Sequence, residues 1–373
     1  MPTTVRRTPG TRTGAGPTRA QRAILVGGTT LVLLAATAAT AQAHEKWFVE
    51  DAASYPTDWS FALRPIALVA MLAMVVVTVA WRWVGTRVGA PELRVLTRLK
   101  ALTPYVPRLL AIHVGVSLLA AAAGGHFLSH DLEVEGRAFG PLLLVVEGLI
   151  GVWFIAGWRV RPAAVALAVL GPAALLVTGP VGLLSAADLL GIAVFLIVLP
   201  PADDTAAGAV TPTEDQLRLG LLAARLGGGV ALITLAFAEK LANPALARQT
   251  LVEFPRLDVF ALVGLHMPTD TFVLIAGCTE LLFGLLVISG AMPQVAVLVA
   301  GIPFNATLIL FGGTEMLGHL PVYGLFLTLI VYGSDPATAP HIPWLPTPRA
   351  AADAVRRLRT TAAPAKARAG VAA

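Results

Sequence analysis

The chain has 373 residues, 56% hydrophobic and 13% charged, with mean hydropathy +0.77 and a formal net charge of +5. A water-soluble protein of this length needs far more surface charge, so the composition excludes that class and points to a multi-pass membrane protein. The one cysteine, Cys278, excludes an intramolecular disulfide and any multi-thiolate metal site; the basic residues flank apolar runs, which is the pattern of membrane orientation and not of nucleic-acid binding.

Residues 1–22 are rich in Thr, Gly, Pro and Arg and read as a basic, disordered cytoplasmic leader. Residues 23–43 are an apolar run ending Ala41-Gln42-Ala43, the pattern of a signal sequence. Cleavage after Ala43 makes His44 the new N-terminus; retention makes the run an anchor. Residues 44–104 then comprise an outer aromatic segment with Trp47, Phe48, Tyr55 and Trp59, a first span, and a basic amphipathic stretch on the inner surface. In that stretch Arg94, Arg98 and Lys100 alternate with Leu93, Leu96 and Leu99.

Nine apolar segments follow the leader, near 62–84, 108–128, 141–158, 162–179, 183–199, 218–241, 271–289, 294–312 and 315–333. A helix crosses a ~30 Å hydrocarbon layer in about 20 residues, and only a helix satisfies its own backbone there. With the N-terminus inside, 21 of the 27 Lys and Arg residues fall on the cytoplasmic side. The segments divide into 105–200 and 218–333, with a Pro/Asp/Thr/Ala linker at 201–217 and a Pro/Ala/Arg-rich tail, read as disordered, at 334–373.

The two divisions share a motif. Glu147…Gly151…Gly157 and Glu280…Gly284…Gly290 both spell E-x3-G-x5-G, and each is followed by an apolar segment carrying a proline, Pro172 and Pro303. The expected fold is therefore all-α integral membrane: two parallel four-helix transmembrane bundles plus one extra N-terminal span after the signal. Four spans per unit place both copies in the same sense, unlike inverted-repeat transporters.

At Phe237-Ala238-Glu239-Lys240, Glu253-Phe254-Pro255 and Glu280 to Gly290 the chain resembles the DoxX family, most clearly over 218–333. Residues 105–200 resemble a degenerate copy that keeps the Glu147 helix. The resemblance implies a four-helix membrane protein and membership of a quinone-linked oxidoreductase complex, with a soluble redox partner.

Ionisable groups within the bilayer are costly, about 2.5–3.5 kcal/mol each on insertion scales, and so become candidate functional groups. In the second unit these are Glu239, Glu280, Glu315 and His319, which with the polar Asn305 are expected to converge on one outward-opening pocket. Lys240 is expected to snorkel away to the surface. In the first unit they are Glu147 and Asp188, with His113 deeper. One reading is a quinone-head site, a metal site or a proton relay; the other is a neutral carboxyl simply hydrogen-bonded between helices. His126 and His130 are spaced i, i+4, a metal-ligand spacing if the helix continues through them, although Gly124-Gly125 argues that it frays. A free His44 amine and imidazole would chelate copper, which defines an alternative reading as a metal-handling protein; a non-catalytic scaffold is a third. The sequence has no P-loop, no G-x-G-x-x-G after a strand and no C-x-x-C-H. Gly227-Gly228-Gly229 reads as a close-packing site.

Overall fold

The computed structural model describes residues 49, 52–129, 132, 134, 136–203, 207–311, 313–346, 349, 353, 356 and 357, without the side chains of 53, 178, 309–311 and 313–315. The leader, the signal segment, His44, Trp47, Phe48 and His130 lie outside the described residues, as does most of the tail. The described chain is helical, with no strand. Its apolar helices are α1 Pro65–Gly85, α2 Val106–Ala123, α3 Gly140–Ala156, α4 Val160–Leu170, α5 Ala173–Ser185, α6 Ala187–Val198 and α7 Glu214–Leu235. After the surface helix α8 Pro244–Glu253 come α9 Thr269–Ser289, α10 Pro293–Phe311 and α11 Gly313–Gly333. Six helical stretches among the described residues are long and apolar enough to cross a membrane, or seven if one bent pair is a single span.

That bent pair marks a departure from straight segments. Val160–Val177 forms one stretch, and Gly179 then adopts φ 80°, ψ −172°, before Pro180. Proline disfavours a helical residue before it, and only glycine enters this region without strain. The chain restarts as a short helix that meets α6 at 51°, so the segment expected at 183–199 is a broken helix.

The connections gather at two ends. At one, the Trp81 indole donates to the Ala291 carbonyl, the Leu93 N–H to Gln294, the Val210 N–H to the Pro104 carbonyl and the Arg159 N–H to Asp203. At the other, the Asp58 N–H donates to the Ala242 carbonyl and the Asn243 amide to the Tyr55 carbonyl, while Asp270 bridges Arg64 (3.0 Å) and Arg248 (2.7 Å). The first is called the basic end below, after Arg87, Arg94, Arg98, Lys100 and Arg159 in the linkers it holds.

Close packing rests on glycines. A Cβ on Gly115 or Gly151 would lie 2.8 Å from the other's carbonyl oxygen, across α2 and α3. Gly229 and Gly284 repeat this across α7 and α9, at 2.7 and 2.8 Å. Backbones approach this closely only where side chains are absent. The three consecutive glycines of α7 each serve a different neighbour, because successive residues turn by about 100°. Gly227 abuts the α6 backbone at Ala187 and Gly191, Gly228 abuts Leu325 of α11, and Gly229 abuts α9. Helix α7 is thus the hub of the bundle. Its most extensive contact is with α6, from the other half of the chain, and α11 packs in the same way on α2. The halves interlock around one continuous core instead of standing as separate bundles.

Both second helices end alike. Gly157 and Gly290 cap α3 and α9 in the left-handed conformation, and two residues later Arg159 and Met292 also have positive φ before the next helix starts. A guanidinium closes each end. Arg108 donates to the carbonyls of Phe154 (2.7 Å) and Ile155 (2.6 Å); Arg225, fully buried, donates to Ile288 (3.0 Å) and Trp344 (2.8 Å). The last carbonyls of a helix lack partners and carry partial negative charge, so a cation there satisfies both needs. Arg82 adds bonds to Ser289 and Pro343. Arg82 and Arg225 together hold residues 342–344 against the core, with Ile342 fully buried. The packed chain therefore continues past Gly333 through residues 342–344, where the sequence had suggested the start of a disordered tail.

Candidate functional site

One cavity lies at the junction of the two halves, at the end opposite the basic one. Ser185, Asp188 and Leu189 line it from the broken α5–α6 region, Leu128 and Ser129 from the loop after α2, and Ala231, Leu232 and Leu235 from α7. Glu280 of α9, Phe304 of α10 and His319 of α11 complete it. Three of the sequence candidates, Asp188, Glu280 and His319, thus share one site. The site needs both halves of the chain, not one pocket in each.

Lys240 is brought up to Glu280 against expectation, though it does not itself line the cavity. After Leu235 the helix widens into a π-turn over Ala236–Leu241, which shifts the register and directs Lys240 toward α9. Its Nζ lies 3.1 Å from Glu280 Oε2, a close ion pair though not an aligned hydrogen bond, and 3.7 Å from Glu239 Oε2. The snorkelling expectation is corrected: Glu239 is almost completely buried, and the ammonium sits between two carboxylates whose burial it offsets. π-turns inside α-helices are often found at functional sites. The adjacent Glu-Lys pair at a helix end was the only sequence signal for this arrangement.

Asp188 stands in the first turn of α6 and is largely buried. The helix N-terminus, with its partial positive charge, favours a carboxylate there. His319 is equally enclosed, with its ring edge-to-face to Phe304 at 5.1 Å and 6.5 Å from Tyr323.

Glu147 does not line the cavity. It is fully buried, and both of its oxygens lie 2.9 Å from the Leu128 N–H, which donates to them. Leu128 has φ 64°, a conformation that costs a non-glycine residue energy, so the carboxylate helps hold it. Glu147 thus fastens the loop whose Leu128 and Ser129 form the cavity wall.

Asn305 also departs from the expected convergence. It is exposed and donates to the Gly301 carbonyl at 2.7 Å, one turn back. Its neighbour Phe304, about 100° away on the same helix, faces the cavity instead. Glu315 lies in the first turn of α11, with its side chain outside the described residues. Helix α2 ends at Ala123, and Gly125 has φ 82°, so His126 is off the helix. Among the described residues no cluster of three or more His, Cys, Asp or Glu side chains is placed to hold a metal ion.

The cavity measures about 50 Å³. That is room for a few water molecules and about a third of the ~150 Å³ apolar cavity that admits benzene. The arrangement is suited to water and protons; a ring-sized ligand enters only if the walls move. No family model, characterised protein or solved structure matches the chain.

Proposed function

We propose that the chain is a multi-pass subunit of the cell membrane, made of two DoxX-like four-helix units inserted in the same sense, with leader and tail on the cytoplasmic side. Its cavity serves a quinone-linked oxidoreductase complex as the proton-exchanging site, while a soluble partner supplies electrons. Duplication is supported by the paired glycines 115/151 and 229/284, the paired left-handed caps Gly157 and Gly290, and the arginine at each cap.

The observation that carries the functional reading is the Glu280–Lys240 ion pair on a cavity that Asp188 and His319 also reach. Reducing a quinone consumes two electrons and two protons. Carboxyl and imidazole groups around a water-sized space, with the Lys240 ammonium paired to Glu280, form a path for those protons through an otherwise apolar layer. The closed cavity is too small to admit the ring, so a quinone would exchange protons with it from outside.

The test is mild-detergent purification with identification of co-extracted quinone, followed by reconstitution of the chain and its redox partner. Glu280→Gln should retain the bound quinone and lose quinone-dependent proton uptake. Absence of quinone, or full proton uptake by the variant, rejects the reading.

A further inference from the structure

The connection between α1 and α2 contains a 3-10 helix over Arg94–Tyr105. Twelve residues is long for this geometry, in which residues three apart eclipse. The sequence explains the choice: Leu93, Leu96, Leu99, Leu102 and Tyr105 recur at a strict spacing of three. An α-helix would wind that row around its surface, whereas a 3-10 helix keeps it in one straight column. The start of the column, Leu93 to Leu99, is half-buried, with Leu99 packed on the main core. Arg94 and Lys100 occupy the next column, and Arg98 the third together with Val95. All three basic side chains are exposed, none is in an ion pair with a described residue, and Val95 beside them is 82% exposed.

From this surface we propose that Arg94, Arg98 and Lys100 bind the headgroups of anionic phospholipids, with Val95, Leu102 and Tyr105 entering the boundary between headgroups and acyl chains. Three features select a lipid over an acidic protein. The segment runs directly into the apolar helix α2, so it lies at the edge of the hydrocarbon layer. Exposed apolar and basic side chains alternate on it, as on interfacial helices. At the same end Arg87 stacks on the exposed Trp83 at 3.4 Å, an aromatic-basic pair of the kind found at membrane boundaries. This inference is independent of the cavity and of the redox reading.

The full-length protein is delipidated in neutral detergent and titrated with short-chain phosphatidylglycerol, with phosphatidylcholine as the comparison. Bound lipid is counted by native mass spectrometry. Phosphatidylglycerol should bind selectively and be released by salt. A triple variant, Arg94→Gln, Arg98→Gln and Lys100→Gln, should bind it roughly a hundredfold more weakly, since each charge contributes about fivefold. Arg94→Lys with Arg98→Lys should bind like the wild type, because the attraction is between net charges. Equal binding of both lipids, or undiminished phosphatidylglycerol binding by the triple variant, overturns the proposal. Should the triple variant fail to elute as a folded protein, the single variants Arg94→Gln, Arg98→Gln and Lys100→Gln decide the matter: each should bind about fivefold more weakly, and undiminished binding by all three overturns the proposal.

Discussion

Replacing Gly227 and Gly228 separately by alanine puts the packing account to a quantitative test. The added Cβ meets a neighbour at nearly the same distance in both cases, 2.3 Å and 2.2 Å. The neighbours differ in kind. At Gly227 they are the Ala187 carbonyl oxygen and the Gly191 Cα, both backbone atoms of α6. Relief to an ordinary contact of 3.4 Å requires α6 and α7 to separate by about 1 Å. At Gly228 the neighbour is Cδ2 of Leu325, the far end of a side chain, which rotates away. Overpacking a rigid site costs about 1–3 kcal/mol or more, and an off-rotamer leucine about 0.5–1.5 kcal/mol. Alanine in place of glycine returns up to ~1 kcal/mol of helix propensity in both variants. Gly228→Ala should therefore be close to neutral, and Gly227→Ala destabilised by about 2 kcal/mol relative to it. Thermal loss of monodisperse elution in detergent measures the difference. Equal behaviour of the two variants would refute the assignment of separate faces to the consecutive glycines.

Three further outcomes follow from other contacts. Glu147→Ala strips the Leu128 N–H of its acceptor at a cost of about 1–3 kcal/mol, and Leu128 amide exchange should accelerate strongly, while Glu147→Gln, which keeps a carbonyl oxygen, should show a smaller change. Lys240→Met leaves two enclosed carboxylates without their cation and should cost about 3 kcal/mol; adding Glu280→Leu should recover part of the loss, a coupling read from a double-mutant cycle in thermal melts. Glu92, in the connection after α1, is held above the usual carboxylate range by burial, so the folded protein binds its proton more tightly than the unfolded chain does. Stability should therefore fall as pH rises from about 4.5 through the raised folded value, and Glu92→Gln should abolish that slope and stabilise the protein at neutral pH; melts across a pH series check the sign.

Much of the helical layout was legible because lipid leaves the chain few choices. Each of the nine apolar segments contains an apolar helix of the structure, with ends mostly within a few residues. The repeated E-x3-G-x5-G motif pointed to glycines that pack α3 and α9 and to the glycines that end them. What the sequence hid depends on backbone register. The break at Gly179, the π-turn at 236–241 and the 3-10 helix at 94–105 each change which residues share a face. The π-turn brought Lys240 to Glu280; a plain 3.6-residue period kept Asn305 out of the cavity, with Phe304 in its place. The buried role of Arg225 was hidden too, since a lone arginine in an apolar run looks like a boundary marker until the carbonyls it caps are known. Glu147 and Glu280 occupy the same place in the motif yet do different things, since Glu147 fastens a loop and Glu280 borders the cavity.

The most direct measurement is redox-induced infrared difference spectroscopy on the reconstituted protein with a quinone analogue. A proton-exchanging Glu280 should give a carboxyl signal that appears on quinone reduction, vanishes in Glu280→Gln and persists in Glu147→Gln. A signal that survives in Glu280→Gln, or no carboxyl response at all, contradicts a proton-exchanging role for the cavity.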